Sequence, residues 1–336
     1  MKVIVPLCLV VLLALTAWVG TAYFNLYFLF GVIIPYAAFA AFVIGFVIRI
    51  VRWGKSAVPF CIPTTGGQQK SLPWIKQAKI DNPFTFLGVV GRMILEVFCF
   101  RSLFRGAKTE KKGEHLYIGS AKWLWFFALL FHWSMLLIVL RHFRLFLDPV
   151  PMWVTAIEGL DGMFQIGVPA LYLTDMIFVA AVTFLFLRRV VLPRIRYISL
   201  SVDYFPLFLL LGIAITGISM RYFYRIDVAM VKQLTMSLVT LHPATVSGIQ
   251  PIFYLHLFFV STLMAYFPAS KLMHAGGIFL SPTRNLANNS RAVRHVNPWN
   301  YPVKVHTYDE YENEFRDKMK KMGLPLDHDA EVNEDA

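Results

Sequence analysis

Six stretches of this chain are longer and more uniformly apolar than a water-soluble core requires, and they constrain the fold more than any other feature. They run from about Val3 to Tyr23, Leu26 to Ile48, Trp123 to Leu147, Pro169 to Leu187, Phe205 to Met220 and Ile252 to Phe267. A helix needs ~20 mainly apolar residues to cross the hydrocarbon layer, and each stretch approaches or exceeds that length. The chain is 57% hydrophobic and holds 30 Phe in 336 residues, so this patterning is not a local accident. The expected fold is an all-α integral membrane protein, a bundle of about six transmembrane helices. The first stretch is read as a retained helix: its only leading charge is Lys2, and no small-residue cleavage pattern follows it.

Between and beyond the spans the chain divides into four parts. Residues 1–48 hold two N-terminal helices, and residues 49–122 form a basic loop. Residues 123–274 form a four-helix unit, and residues 275–336 a C-terminal tail. The net charge of +12 is not the footprint of a nucleic-acid-binding surface, because its cations cluster beside span ends. Thirteen Lys or Arg lie between Arg49 and Lys122 against Asp81, Glu96, Glu110 and Glu114, whereas 148–169 contains none. Arg188, Arg189, Arg194 and Arg196 follow the fourth span. Retention of Lys and Arg on the cytoplasmic side then predicts both termini in the cytoplasm of a multi-pass inner-membrane protein.

Within the basic loop, residues Asn82 to Phe104 are amphipathic, and Arg92, Glu96 and Arg101 argue against a seventh crossing. Lying along the membrane interface and packing on a partner both fit this stretch. The tail is turn-rich near Pro282 and Pro298, then charged, then acidic; a solvated tail and a docking arm fit it equally. Cys8, Cys61 and Cys99 are far apart and form no CxxC, which argues against a disulfide framework, iron–sulfur ligation and covalent haem attachment.

Four of the nine histidines lie in or next to spans: His132 and His142 in the third, His256 in the sixth, and His274 just after it. Ionisable groups at membrane depth are costly and mark ligand sets or pathways. A pair of imidazoles closes both axial positions of a haem iron, which suits electron transfer. The third and sixth spans run antiparallel, so His132 is expected opposite His274 toward the cytoplasm, and His142 opposite His256 toward the other side. Ten residues rise ~15 Å on a helix and eighteen rise ~27 Å, so two straight rods do not match; Pro268 is expected to break the second. Packing histidines and a proton-relay transporter remain alternatives to haem, and a non-redox membrane anchor is a third. Asp175, the acid clearly inside a predicted span, fits a proton acceptor or a structural acid. Arg141, Arg144 and Arg221 fit quinone-orienting groups, counter-ions to haem carboxylates, or interfacial anchors.

The spacings of ten and eighteen within these two histidine pairs resemble the di-haem cytochrome b gamma subunit of respiratory nitrate reductase, over roughly residues 120–285. Gly91-Arg-Met-Ile-Leu-Glu-Val-Phe, Phe131-His-Trp-Ser, Ser281-Pro-Thr-Arg-Asn and His295-Val-Asn-Pro-Trp-Asn resemble more closely the M subunit of the sulfite-reduction-associated Dsr complex and its Hme relatives. That resemblance covers most of the chain. It implies two haem b groups, exchange of electrons with menaquinone, and a cytoplasmic heterodisulfide-reductase-like iron–sulfur subunit as partner. It further implies other membrane and periplasmic redox subunits and a place in dissimilatory sulfur metabolism. Asp175, Arg141 and Arg221 are the residues expected near a quinone.

Overall fold

The structure is a computed structural model that describes residues 2–56, 67–163, 169–289 and 305–327. Cys61, the stretch from His295 to Asn300 and the acidic end of the chain lie outside the described residues. The described chain is mostly helical, as the hydropathy requires. Among the described residues, five helices have the length and apolar composition to cross a membrane. They are α1 (Ile4–Ala22), the run from Leu29 through α2 (Ile34–Gly54), α5 (Lys122–His142), α9 (Ser201–Ile218) and α11 (Pro251–Tyr266). α7 (Leu173–Val191) has 19 residues and packs between α5 and α9, but Asp175 in its first turn and Arg188 and Arg189 in its last make it more polar. Those charges match the sign of each end of the helix dipole.

Local chemistry sets the turns. Asn25 separates α1 from the second helix at φ 54°, a left-handed conformation that Asn tolerates better than most residues. A π-turn over Leu29–Ile33 precedes Pro35, whose missing N–H interrupts the regular helical ladder. Pro206 inside α9 cannot donate to the Val202 carbonyl four residues back, and the Tyr266 hydroxyl donates to that carbonyl instead (3.4 Å). α2 extends to Gly54, beyond the apolar run that ends near Ile48, with Arg49 and Arg52 in its last turns.

α5 packs on α7, α7 on α9, and α9 on α11, while α1 lies against α9 and α11 and α2 against α11. Close helix approach relies on small residues: a methyl group on Gly212 would come within 2.9 Å of the Phe259 ring, and one on Gly45 within 2.7 Å of Pro268. Buried clusters lie along these contacts, one around Phe178, Val182 and Leu210 and another around Phe30, Leu234, Phe253 and Tyr254. Most outward-facing span residues are exposed and apolar, as a lipid solvent demands.

The connections hold more structure than hydropathy predicts. The basic loop contains α3 (Phe86–Cys99), α4 (Arg101–Phe104) and an antiparallel hairpin, β1 (Ala107–Lys112) with β2 (His115–Ser120). Two short helices, α6 (Met152–Asp161) and α10 (Val228–Val239), lie in the connections at the opposite end of the bundle, and α8 (Pro193–Ile198) joins α7 to α9. After α11 come α12 (His274–Gly277) and, in the tail, α13 (Tyr308–Lys321), which opens on a Thr307–Glu310 capping box.

Candidate haem-binding sites

α11 ends at Tyr266, and Phe267–Ala269, with Pro268 in its middle, tightens into a 3₁₀ turn. Ser270 is extended, a second 3₁₀ turn covers Lys271–Met273, and His274 opens α12. This break removes the mismatch between spacings of ten and eighteen residues. The His132 and His274 rings lie 5.9 Å apart between centres at an interplanar angle of 82°. The His142 and His256 rings lie 6.5 Å apart at 12°. The structure thus brings together the same two pairs that antiparallel spans imply.

Two imidazoles on opposite sides of one ion, each with a metal–nitrogen bond of ~2 Å, place their ring centres about 6 Å apart, and both pairs are close to that separation. The hydrogen bonds behind the rings agree with it. Nδ1 of His132 lies 2.7 Å from the Ala128 carbonyl, that of His142 2.7 Å from Ile138 O, and that of His274 2.9 Å from Lys271 O. A carbonyl only accepts, so each Nδ1 carries the hydrogen and each neutral ring keeps its lone pair on Nε2. Nδ1 of His256 lies 2.9 Å from Thr216 Oγ1. That hydroxyl already donates to its own helix, at Gly212 O (2.8 Å), so it accepts from His256, which again leaves Nε2 bare. Anchoring the remote nitrogen in this way is what orients metal-ligating histidines. The residues present fit haem.

On the His142 side, a polar network surrounds Arg141. Its guanidinium is buried and pairs with Asp161 Oδ2 (3.1 Å) and Asp175 Oδ1 (2.6 Å), and it donates to Thr174 Oγ1 (3.1 Å). Asp161 also caps α7, accepting the Thr174 N–H (2.8 Å) and hydroxyl (2.6 Å). The Tyr172 ring lies against both the Arg141 and Arg221 guanidiniums, at 3.8 and 3.9 Å. Arg221 donates to Ala170 O (3.1 Å), but its buried Nε has no hydrogen-bond partner among the described residues. Arg144 stands apart and is held by both carboxylate oxygens of Glu158 (2.9 and 3.0 Å). The expected trio of Asp175, Arg141 and Arg221 is therefore one cluster. Asp161, Thr174 and Tyr172 complete it without a periodic signal in sequence.

On the His274 side, Lys271 accepts the His274 ring on its carbonyl and places its ammonium 2.6 Å from the buried Asp203, which itself caps the start of α9 (Leu200 N to Oδ2, 3.0 Å). Phe100, at φ 50° between α3 and α4, meets the His132 ring edge-on at 4.8 Å. Sequence motifs that lie far apart also meet here. Glu96 accepts from Ser102 and lies 3.9 Å from Arg284, while Asn288 donates through its side chain to Asn82 and through its backbone to Pro83 O (2.7 Å).

Comparison with known proteins places this arrangement in a family. The profile of the nitrate reductase gamma subunit family matches residues 94–295, which contain all four histidines. A protein of Archaeoglobus fulgidus, described as an Hdr-like menaquinol oxidoreductase cytochrome b-like subunit, is 50% identical over 278 residues, covering 81% of this chain and 83% of its own. A protein of Archaeoglobus profundus with the same description is 42% identical over 275 residues, covering 79% and 81%. The chain is a multi-pass helical membrane protein that belongs to the nitrate reductase gamma subunit family of membrane cytochromes b.

Proposed function

We propose that this chain is the membrane di-haem cytochrome b subunit of a menaquinone-linked oxidoreductase, with His132 and His274 holding one haem iron and His142 and His256 the other. The observation that carries the reading is the pair of facing imidazole couples with every Nδ1 engaged and every Nε2 bare. A haem held by such a couple would supply a one-electron carrier. The protein's part is to fix ring orientation and keep water away.

Menaquinol oxidation also releases protons, and the cluster beside His142 is equipped to receive them. Asp175 and Asp161 share the Arg141 guanidinium, so a proton passed to Asp175 would leave the Arg141–Asp161 pair intact. Arg221, with its unpartnered Nε–H, is the donor suited to a quinone oxygen. Two Archaeoglobus relatives are described as subunits of menaquinol oxidoreductases, which favours this substrate. His132 and His274 would hold the second haem, on the Lys- and Arg-rich side, where it would supply a one-electron carrier. That side is read as cytoplasmic, with both termini, and as facing a heterodisulfide-reductase-like iron–sulfur subunit. The resemblance to the Dsr M subunit extends the reading to further membrane and periplasmic redox partners and to dissimilatory sulfur metabolism.

The test is a dithionite-reduced minus oxidised spectrum of the purified, assembled protein, followed by addition of a menaquinol analogue. A b-type signal from two haems that the quinol also reduces is expected. A spectrum with no b-type signal overturns the reading and favours a transporter or a plain anchor.

A further inference from the structure

α3 is folded inside out for a helix in water. Its inward face carries Val89, Arg92 and Glu96, all buried, and its outward face carries Leu87, Val90, Ile94 and Phe98, all exposed. Steps of three and four residues put each set on one stripe of the helix. A helix at a water boundary buries its apolar stripe and exposes its charges. Here the charges are turned to the protein, with Glu96 accepting the Ser102 N–H (3.2 Å) and facing Arg284.

The depth of the helix explains the inversion. The last carbonyls of a helix have no partner within it. In α3, Phe98 O accepts from the Trp133 indole (3.1 Å) and Cys99 O from the Trp125 indole (2.7 Å). Both tryptophans belong to the spanning helix that starts at Lys122. Trp133 lies ~16 Å along that helix, and helical side chains lean back toward the N-terminus, so the end of α3 is held several ångströms inside the start of the span. The exposed stripe meets α5 at Phe98, whose ring centre lies 6.0 Å from that of the exposed Trp133. With 14 residues α3 is ~21 Å long, short of the ~30 Å hydrocarbon layer, so it does not cross. The segment leading into it exposes Trp74, Lys76 and Lys79, the residue types that anchor chains at a headgroup layer.

We propose that α3 is embedded from the Lys- and Arg-rich side in one leaflet, its Leu87–Phe98 stripe facing lipid tails and its Lys76–Lys79 approach facing anionic headgroups. Through Phe100 this helix forms the lipid-side wall of the His132 site. The inference does not depend on the haems.

The test uses the full chain in bilayer discs of mixed zwitterionic and anionic lipid, with the native cysteines replaced by serine. Spin labels are placed singly through Leu87→Cys and Ile94→Cys, with Lys76→Cys for comparison. Phe86→Cys and Val90→Cys serve if either of the first two fails to assemble. The expected result is a collision rate with oxygen that exceeds that with a water-soluble nickel chelate at 87 and 94, and the reverse order at 76. Access of the nickel chelate to 87 and 94 overturns the proposal. So does protection of those labels from both reagents in the assembled complex combined with nickel access in the isolated subunit, which would make the stripe a protein-docking face.

Discussion

The Thr216 hydroxyl gives its hydrogen to its own helix and accepts the Nδ1–H of His256 at 2.9 Å, so a side chain of α9 sets the orientation of a ring on α11. Losing such a partner typically lowers metal affinity 10–100-fold. Thr216→Val keeps the shape and removes the acceptor. It is expected to weaken or spectrally shift one of two haems while leaving the other unchanged, read by haem content per protein and by redox titration. Equal effects on both haems would show that Thr216 acts on general stability.

Gly217, next to Thr216, tests the same ring by contact. A methyl group there would lie 3.3 Å from His256 Cε1, tight enough to push the imidazole. Gly217→Ala is expected to alter the midpoint potential of the same haem that Thr216→Val affects. Gly159→Ala, which meets nothing within 4 Å, is the control and should alter neither.

Arg141 is the shared cation of two carboxylates, and its side chain is only 7% exposed. Removing one partner of a buried ion pair strands the other, at about 3–5 kcal/mol. Arg141→Met should therefore lower the thermal midpoint of the detergent-solubilised protein markedly. Adding Asp175→Asn should recover part of the loss, because one stranded charge is gone. Asp175→Asn alone is expected to fold with both haems and to slow their reduction by menaquinol while dithionite reduction is unchanged.

Glu96 tests the attachment of α3. Its buried carboxylate takes both the backbone N–H and the hydroxyl of Ser102, and hydrogen bonds to a charged group contribute about 1.5–3 kcal/mol each. Glu96→Ala should lower the thermal midpoint more than Glu96→Gln, which retains an acceptor oxygen.

The helical membrane fold was legible because an apolar run of spanning length admits few structures other than a helix. The histidine geometry was legible for a related reason: antiparallel order ranks residues by depth, and Pro268 marks where the eighteen-residue interval folds. The polar cluster was only partly readable. Asp175 and Arg141 stand out as charges in apolar runs, but Asp161 comes from α6, a short helix with no spanning signal, and Thr216 looks like any small polar residue in a span. Lys112-Gly113-Glu114, with Gly113 at φ 62°, carried the turn of the β1–β2 hairpin inside a stretch read simply as basic loop. The charges of α3 argue against a crossing, and its 14 residues are fewer than a spanning helix needs. The partners of buried Glu96 are Ser102 and Arg284, the latter nearly two hundred residues away, which no local pattern reports.

The central claim is the assignment of four histidines to two haems by pairs, and single replacements of each histidine test it directly. In spectra and redox titrations of assembled protein, His132→Ala and His274→Ala should remove the same haem, while His142→Ala and His256→Ala should remove the other. Loss of one haem by His132→Ala and of the other by His274→Ala, or two haems retained in any of the four variants, would contradict the account.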